Sequence, residues 1–248
     1  MTDFVVVIPS RYASARLPGK PLRQINGKPM IQHVYERGVE SEARQVVIAT
    51  DDERIATVAE SFGATVCMTA THHQSGTERI AEVADLLDWD DAQIVVNLQG
   101  DEPSMPAALI SQCAELLADD GADIATLASP FLNREDFESP NCVKVICDNN
   151  CNALYFSRAV IPYARATEQQ DLAFESALHH HGIYAYRCGV LRKLVSSAPS
   201  SLELSEQLEQ LRALSLGMTI KIGVPAMRPG IGVDTEDDLQ RAADETAH

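Results

Sequence analysis

The sequence predicts an α/β fold: a Rossmann-like, mostly parallel sheet flanked by helices, with a smaller antiparallel lobe. Three observations carry this. Unbroken apolar runs at residues 4–9, 45–50 and 93–98 suit strands covered on both faces. The stretches between them have helical patterning and are too long for hairpin connections, which calls for right-handed βαβ crossovers. Beyond residue 120 the alternation gives way to two apolar segments joined across Asp148-Asn149-Asn150, the pattern of an antiparallel pair.

Along the chain, residues 4–9 form the first, central strand, and residues 28–34 open a helix. A second strand at 45–50 ends in Asp51-Asp52 and is followed by a helix at 53–62, a strand at 63–67, a helix at 78–87, the strand at 93–98 and a helix at 106–118. In the second half, strands are expected at 123–128, 143–147, 153–157, 182–186 and 219–224, with a helix at 202–214. No repeat or flexible linker interrupts the chain, so residues 1–248 read as one domain, with 1–120, 121–230 and 231–248 as its successive parts.

Composition narrows the function. The 248 residues are 45% apolar, enough for a substantial core, and 20 basic against 36 acidic side chains give a formal charge of -16. Such a surface repels phosphate backbones and anionic headgroups, so neither nucleic acid nor a membrane surface is expected as a partner. No apolar run approaches a membrane span and no basic leader precedes residue 4, which points to the cytoplasm. The six cysteines form no C-x-x-C pair and read as reduced thiols used as small apolar residues.

Against that acidic background, the loop after the first strand concentrates Arg11, Arg16 and Lys20. Ligands of open α/β sheets bind beyond the carboxyl ends of strands, and three cations there can neutralise a polyphosphate. The loop is neither a P-loop, since Gly19-Lys20 and Gly27-Lys28 are followed by proline, nor a dinucleotide fingerprint. At the carboxyl edge of the strand at 93–98 stands Asp101, beside Gly100, placed to hold Mg²⁺ on a triphosphate. Near the C-terminus, Thr235 and Asp238 explain themselves as a capping box, which leaves Asp234 without a structural role. If folding brings Asp234 to Asp101, the two carboxylates make a hard-oxygen Mg²⁺ site. His72-His73-Gln74-Ser75-Gly76-Thr77 offers small residues whose backbone can read a flat base, with Thr77 as a candidate helix cap. In His179-His180-His181, neighbouring side chains of an extended segment point to opposite faces, so a single functional histidine is expected in place of a metal cluster.

These motifs, IPSRYASARLPGKPL (8–22), HQSGTERIAEV (73–83), VNLQGDEP (96–103), ALYFSRAVIPY (153–163), HHGIYAYR (180–187), LEQLRAL (208–214) and GIGVDTEDDL (230–239), together resemble the CMP-Kdo synthetase family of sugar nucleotidyltransferases, nearly end to end. The resemblance implies that CTP and an eight-carbon acid sugar, Kdo, give the CMP-sugar and pyrophosphate for lipopolysaccharide assembly. It implies that Arg11, Arg16 and Lys20 hold the triphosphate, Gln74, Ser75 and Gly76 the cytosine, and Asp101 and Asp234 the Mg²⁺. It places Gln99, Arg165, His181, Tyr186, Glu209 and Gln210 around the sugar. It assigns residues 1–120 to CTP, 121–230 to the sugar and to a homodimer contact, and 231–248 to the return that completes the metal site.

One segment departs from the family pattern. Where relatives commonly carry P-S-P-L-E-H-I-E, this chain reads Pro199-Ser200-Ser201-Leu202-Glu203-Leu204-Ser205-Glu206. With Leu204 where the pattern has its histidine, and with Glu203, Glu206 and Glu209 around it, an acceptor bearing an ammonium becomes an alternative: the 8-amino-3,8-dideoxy analogue of Kdo. Sialic acid, or nucleotide binding without catalysis, are the remaining rival readings.

Overall fold

The chain begins with β1 (Phe4–Ser10), whose Val5 to Ile8 are fully enclosed; in the computed structural model, which describes residues 2–13 and 17–245, this strand lies inside the sheet. A short turn of 3-10 helix at Lys20–Leu22 and a two-residue hairpin, β2 (Gln24–Ile25) and β3 (Lys28–Pro29), lead to α1 (Met30–Glu40) and β4 (Gln45–Thr50). The crossover pattern continues through α2 (Glu53–Ser61), β5 (Thr65–Met68), α3 (Gly76–Leu86), β6 (Ile94–Asn97) and α4 (Ala107–Asp120). The second half comprises β7 (Ile124–Pro130), α5 (Arg134–Glu138), the hairpin of β8 (Lys144–Cys147) and β9 (Ala153–Ser157), α6 (Gln170–Ser176) and β10 (Leu178–Arg187). It closes with α7 (Cys188–Val195), α8 (Ser201–Glu206), α9 (Gln210–Ser215), β11 (Ile220–Gly223) and α10 (Glu236–Glu245).

Among the described residues the main sheet has the order β11-β7-β10-β6-β1-β4-β5, with the β8-β9 hairpin attached through β10. The pairs β1-β4, β1-β6, β4-β5 and β7-β11 are parallel; β10 runs antiparallel to β6, β7 and β8. The mostly parallel sheet and the antiparallel addition are therefore both present. Alternate residues of β1 serve two cores, as the period of a strand dictates: Val5 and Val7 share one with residues of α3, α7 and α9, while Val6 and Ile8 share the other with residues of α1, α2 and α4. Both cores draw on both halves of the sequence.

Three sequence expectations are corrected. The strand read at 182–186 extends over Leu178–Arg187 and sits between β6 and β7, because its histidine-rich half pairs with β7 and β8 despite its polarity. The helix read at 202–214 is two helices, broken where Gln207 takes φ 54°, a left-handed C-cap. The break follows from Glu206, which accepts hydrogen bonds from Ser157 Oγ (2.6 Å) and Arg158 N (2.9 Å) and so turns the end of α8 onto β9. The cap of α3 is Ser75, whose Oγ accepts from Glu78 N, and not Thr77. The capping box at Thr235 and Asp238 is present, each side chain accepting from the other's backbone N–H.

Lys144 is fully buried, and its ammonium donates to the carbonyls of Ser139, Cys142 and Arg158, tying both strands of the hairpin to the chain before it. Arg212, also buried, makes a two-pronged pair with Glu203 that binds α9 to α8. The six cysteines are free, with Cys113 and Cys188 buried. No helix among the described residues is long and apolar enough to cross a membrane.

Candidate active site

The carboxyl ends of β1 and β6 lie side by side, and the turns that follow them converge. After β6, Gly100 presses the turn onto β1: a Cβ there would lie 2.6 Å from Ser10 Oγ and 2.9 Å from Pro9 O, so only glycine admits this approach. Asp101 thus projects at the end of the parallel sheet. After β1, the chain returns at Gly19, in the left-handed region at φ 65°, and delivers Lys20 to the same spot. The third contributor comes from residues 224–235, which bring Val233 and Asp234 back beside Asp101, with Val233 N donating to Asp101 O at 2.8 Å.

At the meeting point, Lys20 Nζ donates to Asp101 Oδ2 (2.7 Å), Val233 O (3.0 Å) and Asp234 Oδ1 (3.1 Å). Two carboxylates 133 positions apart in the sequence thus contact one cationic nitrogen. Burial alone would depress the Lys20 ammonium, but Asp101 and Asp234 outweigh it and hold its pKa above the usual lysine value. Glu102 lies largely buried behind them; burial, with Asp101 and Asp234 adding to it, pushes its carboxyl up to about 8.

A cavity of about 450 Å³ opens in front of this cluster, lined by Arg11, Lys20, Gln74, Ser75, Gly76, Gln99, Asp101 and Asp234 among others. Eight of the sequence-predicted residues are thereby brought together. The far wall is the loop between β5 and α3, hung from α3 by two carboxylates: Glu82 accepts from Ala70 N (2.8 Å) and contacts His73 Nε2 (2.5 Å), and Glu78 accepts from Gln74 N (2.6 Å). Sequence reasoning missed Arg79, a buried guanidinium that lines the cavity, paired with Asp51 at the end of β4 and bonded to Thr69. Its signal was Asp51 itself, a carboxylate at a strand end.

Arg16 lies outside the described residues. Five expected sugar-pocket residues do not line this cavity. Glu209 stands directly behind it, accepting hydrogen bonds from Ser75 Oγ (2.9 Å) and Thr77 Oγ1 (2.5 Å); Gln210 follows at the start of α9. Tyr186 is buried beside Thr77 and Glu209, stacked on Tyr184. Arg165 is exposed, in the segment between β9 and α6. His181 is placed on the other face of β10, bonded to Ser129 and lining a separate cavity of about 1330 Å³ with His179 and Phe131. The histidine on the Tyr184 side is His180, held between Thr126, Phe156 and Tyr184. Burial holds His180 down to about 3 and His181 to about 4, so both rings are neutral.

The surplus anions of the departing segment are engaged. Glu203 is held by Arg212 and by the capping box with Ser200, and Glu206 by β9 and Arg158. Neither is a free partner for an ammonium.

The donor set suits Mg²⁺. Two aspartates and a backbone carbonyl already surround one cation, all hard oxygens, and Mg²⁺ is commonly held by one or two carboxylates with substrate phosphates supplying the rest. No cluster of three or more His, Cys, Asp or Glu side chains arranged to hold a metal occurs among the described residues.

Residues 5–220 match the family model described as cytidylyltransferase. The chain is 50% identical over 241 residues to the 3-deoxy-manno-octulosonate cytidylyltransferase of Yersinia enterocolitica, covering 96% of each chain. A solved structure of CMP:2-keto-3-deoxy-manno-octonic acid synthetase complexed with CTP is similar over 99% of both chains, at 40% identity and a TM-score of 0.91. A cytidylyltransferase from Leptospira borgpetersenii, at 16% identity and a TM-score of 0.62 over 98% of this chain and 85% of its own, shares the fold.

Proposed function

The chain belongs to the cytidylyltransferase family, and from that premise we propose that it transfers CMP from CTP to the anomeric hydroxyl of 3-deoxy-manno-octulosonate, releasing pyrophosphate. The single observation that carries the chemistry is the convergence of Asp101 and Asp234 on Lys20 at the ends of β1 and β6. Arg11 and Lys20 meet the charge of the triphosphate, and Gln74, Ser75 and Gly76 form the wall that receives the base. Asp101 and Asp234 are the residues that would hold Mg²⁺, which when bound would neutralise charge on the α-phosphate and favour ionisation of the attacking hydroxyl. The new bond forms between that oxygen and the α-phosphorus as the bond to the pyrophosphate oxygen breaks. Alignment and charge supply the acceleration, with no covalent intermediate on the protein.

Its need for CTP puts the reaction in the cytoplasm, and its product is a precursor for lipopolysaccharide. A homodimer contact would fall in the second half, where Leu132, Leu154, Tyr163 and Leu172 are exposed. Incubation of the protein with CTP, Mg²⁺ and either Kdo, its 8-amino analogue or sialic acid, followed by pyrophosphate and CMP-sugar detection, tests the assignment. Turnover of Kdo is expected. Turnover of sialic acid alone would overturn the sugar class, and CTP binding without pyrophosphate release would overturn the activity.

A further inference from the structure

Residues 224–235 have no regular structure, yet they lie along the turn after β6 in a definite register. Val233 stands opposite Asp101 through its hydrogen bond, Gly232 opposite Glu102, and Gly230 opposite Ser104, so the two segments run antiparallel. The contact is closest at the glycines. A Cβ on Gly230 would fall 2.2 Å from Ser104 O, and one on Gly232 would fall 3.0 Å from Glu102 Oε1. Neither glycine is in the left-handed region, so what these positions require is space, not backbone freedom.

The arm has little slack with which to absorb a side chain. At its start, Gln112 holds Val224 O (2.7 Å) and Ala226 N (2.9 Å). Near its end, Val233 is fully buried with Leu17, Ile25, Met30, Leu239 and Ala242. The same Val233 donates its N–H to Asp101 and accepts from Lys20 through its carbonyl, so its place sets where Asp234 projects.

We infer that Gly230 and Gly232 are positioning residues for the metal site: they let the arm close on the turn after β6, and this register, set some distance from the chemistry, brings the Asp234 carboxylate to Asp101. The inference rests on the assignment of Mg²⁺ to these two aspartates. An alanine at 230 meets backbone, which cannot rotate away, and must lift the arm; an alanine at 232 meets the end of a flexible glutamate and displaces it less.

The test is Mn²⁺ binding to the full chain with saturating CTP and no sugar, followed by electron paramagnetic resonance, alongside thermal melting by circular dichroism. Gly230→Ala is expected to weaken Mn²⁺ by about 10–100-fold, the range typical of groups that orient metal ligands, and Gly232→Ala by less. With sugar present, high Mg²⁺ should restore turnover in Gly230→Ala but not in Asp234→Asn. Gly232→Ala, with the milder contact, keeps the inference testable should Gly230→Ala melt early: wild-type Mn²⁺ affinity in a folded Gly230→Ala, a larger loss in Gly232→Ala than in a folded Gly230→Ala, or, where Gly230→Ala does not fold, wild-type Mn²⁺ affinity in Gly232→Ala, overturns it. If Asp234→Asn itself leaves Mn²⁺ binding unchanged, the metal assignment fails; if only Asp234→Asn weakens binding, the register argument fails alone.

Discussion

Ser75 Oγ lies 2.9 Å from Glu209 Oε1, and this bond joins the cap of α3 to the residue that precedes α9. Thr77 occupies the second oxygen of the same carboxylate. The residue expected at the sugar is therefore fixed to the loop expected at the base. On the proposed assignment the base and sugar subsites share a wall, and disturbance of one would reach the other through a single side chain.

Ser75→Ala removes both the cap on Glu78 N and the bond to Glu209. We expect a stability loss of about 1 kcal/mol from the cap, together with raised KM values for both substrates. Urea unfolding and initial-rate kinetics measure the two effects; an effect on the CTP KM alone would show that the shared wall transmits nothing.

Lys20→Met deletes the cation between Asp101 and Asp234. A fall in kcat of about 10²–10³-fold is expected, the scale for losing one preorganised hydrogen-bond donor to a developing oxyanion. Steady-state kinetics at saturating CTP decide it, and a variant with near-normal kcat would remove Lys20 from the reaction.

Glu203→Gln leaves the Arg212 guanidinium, 7% exposed, without its two-pronged partner. Because removing one member of a buried ion pair strands the other, the variant should be destabilised by about 3 kcal/mol. Denaturant titration tests this, and a loss below about 1 kcal/mol would show that the pair behaves as an exposed one.

His180 and His181 give the fold an acid limb. Burial holds their folded pKa values near 3 and 4, below the ordinary 6.5, so below about pH 6.5 the unfolded chain binds protons that the native chain does not. Their stabilisation is complete above that pH and is lost as pH falls towards 4, by about 1–2 kcal/mol per ring at pH 5. His181→Asn should flatten this limb in melting temperatures recorded from pH 7 to pH 4; an unchanged slope would show that the ring titrates freely.

The legible parts of the sequence were those whose burial is local. Residues 4–9 read as a central strand because both faces of β1 are covered and every side chain is apolar or small. Asp101 stood out because it follows a strand's carboxyl edge beside a glycine, and Asp234 because the cap next to it did not explain it. Glu102 gave no such signal: its burial is created by the 230–234 arm, which arrives from the other end of the chain. The outer half of β10 was hidden by His179, His180 and His181, whose polarity is tolerated because each ring meets an aromatic or hydroxyl neighbour supplied by topology. Glu203 and Glu206 read as surplus charge near the acceptor because Arg212 and β9, which engage them, are distant or ambiguous in sequence.

The antiparallel β10, seated between β6 and β7, governs the order in which the chain can be assembled. A nascent polypeptide leaving the ribosome can lay down β5-β4-β1-β6 early, but β7 has no seat beside them until residues 178–187 have been synthesised. Until then β6 presents bare amides and carbonyls, the kind of border that recruits foreign strands. Cutting the gene after residue 120 would therefore yield not two modules but two halves that each lack the strand closing the gap.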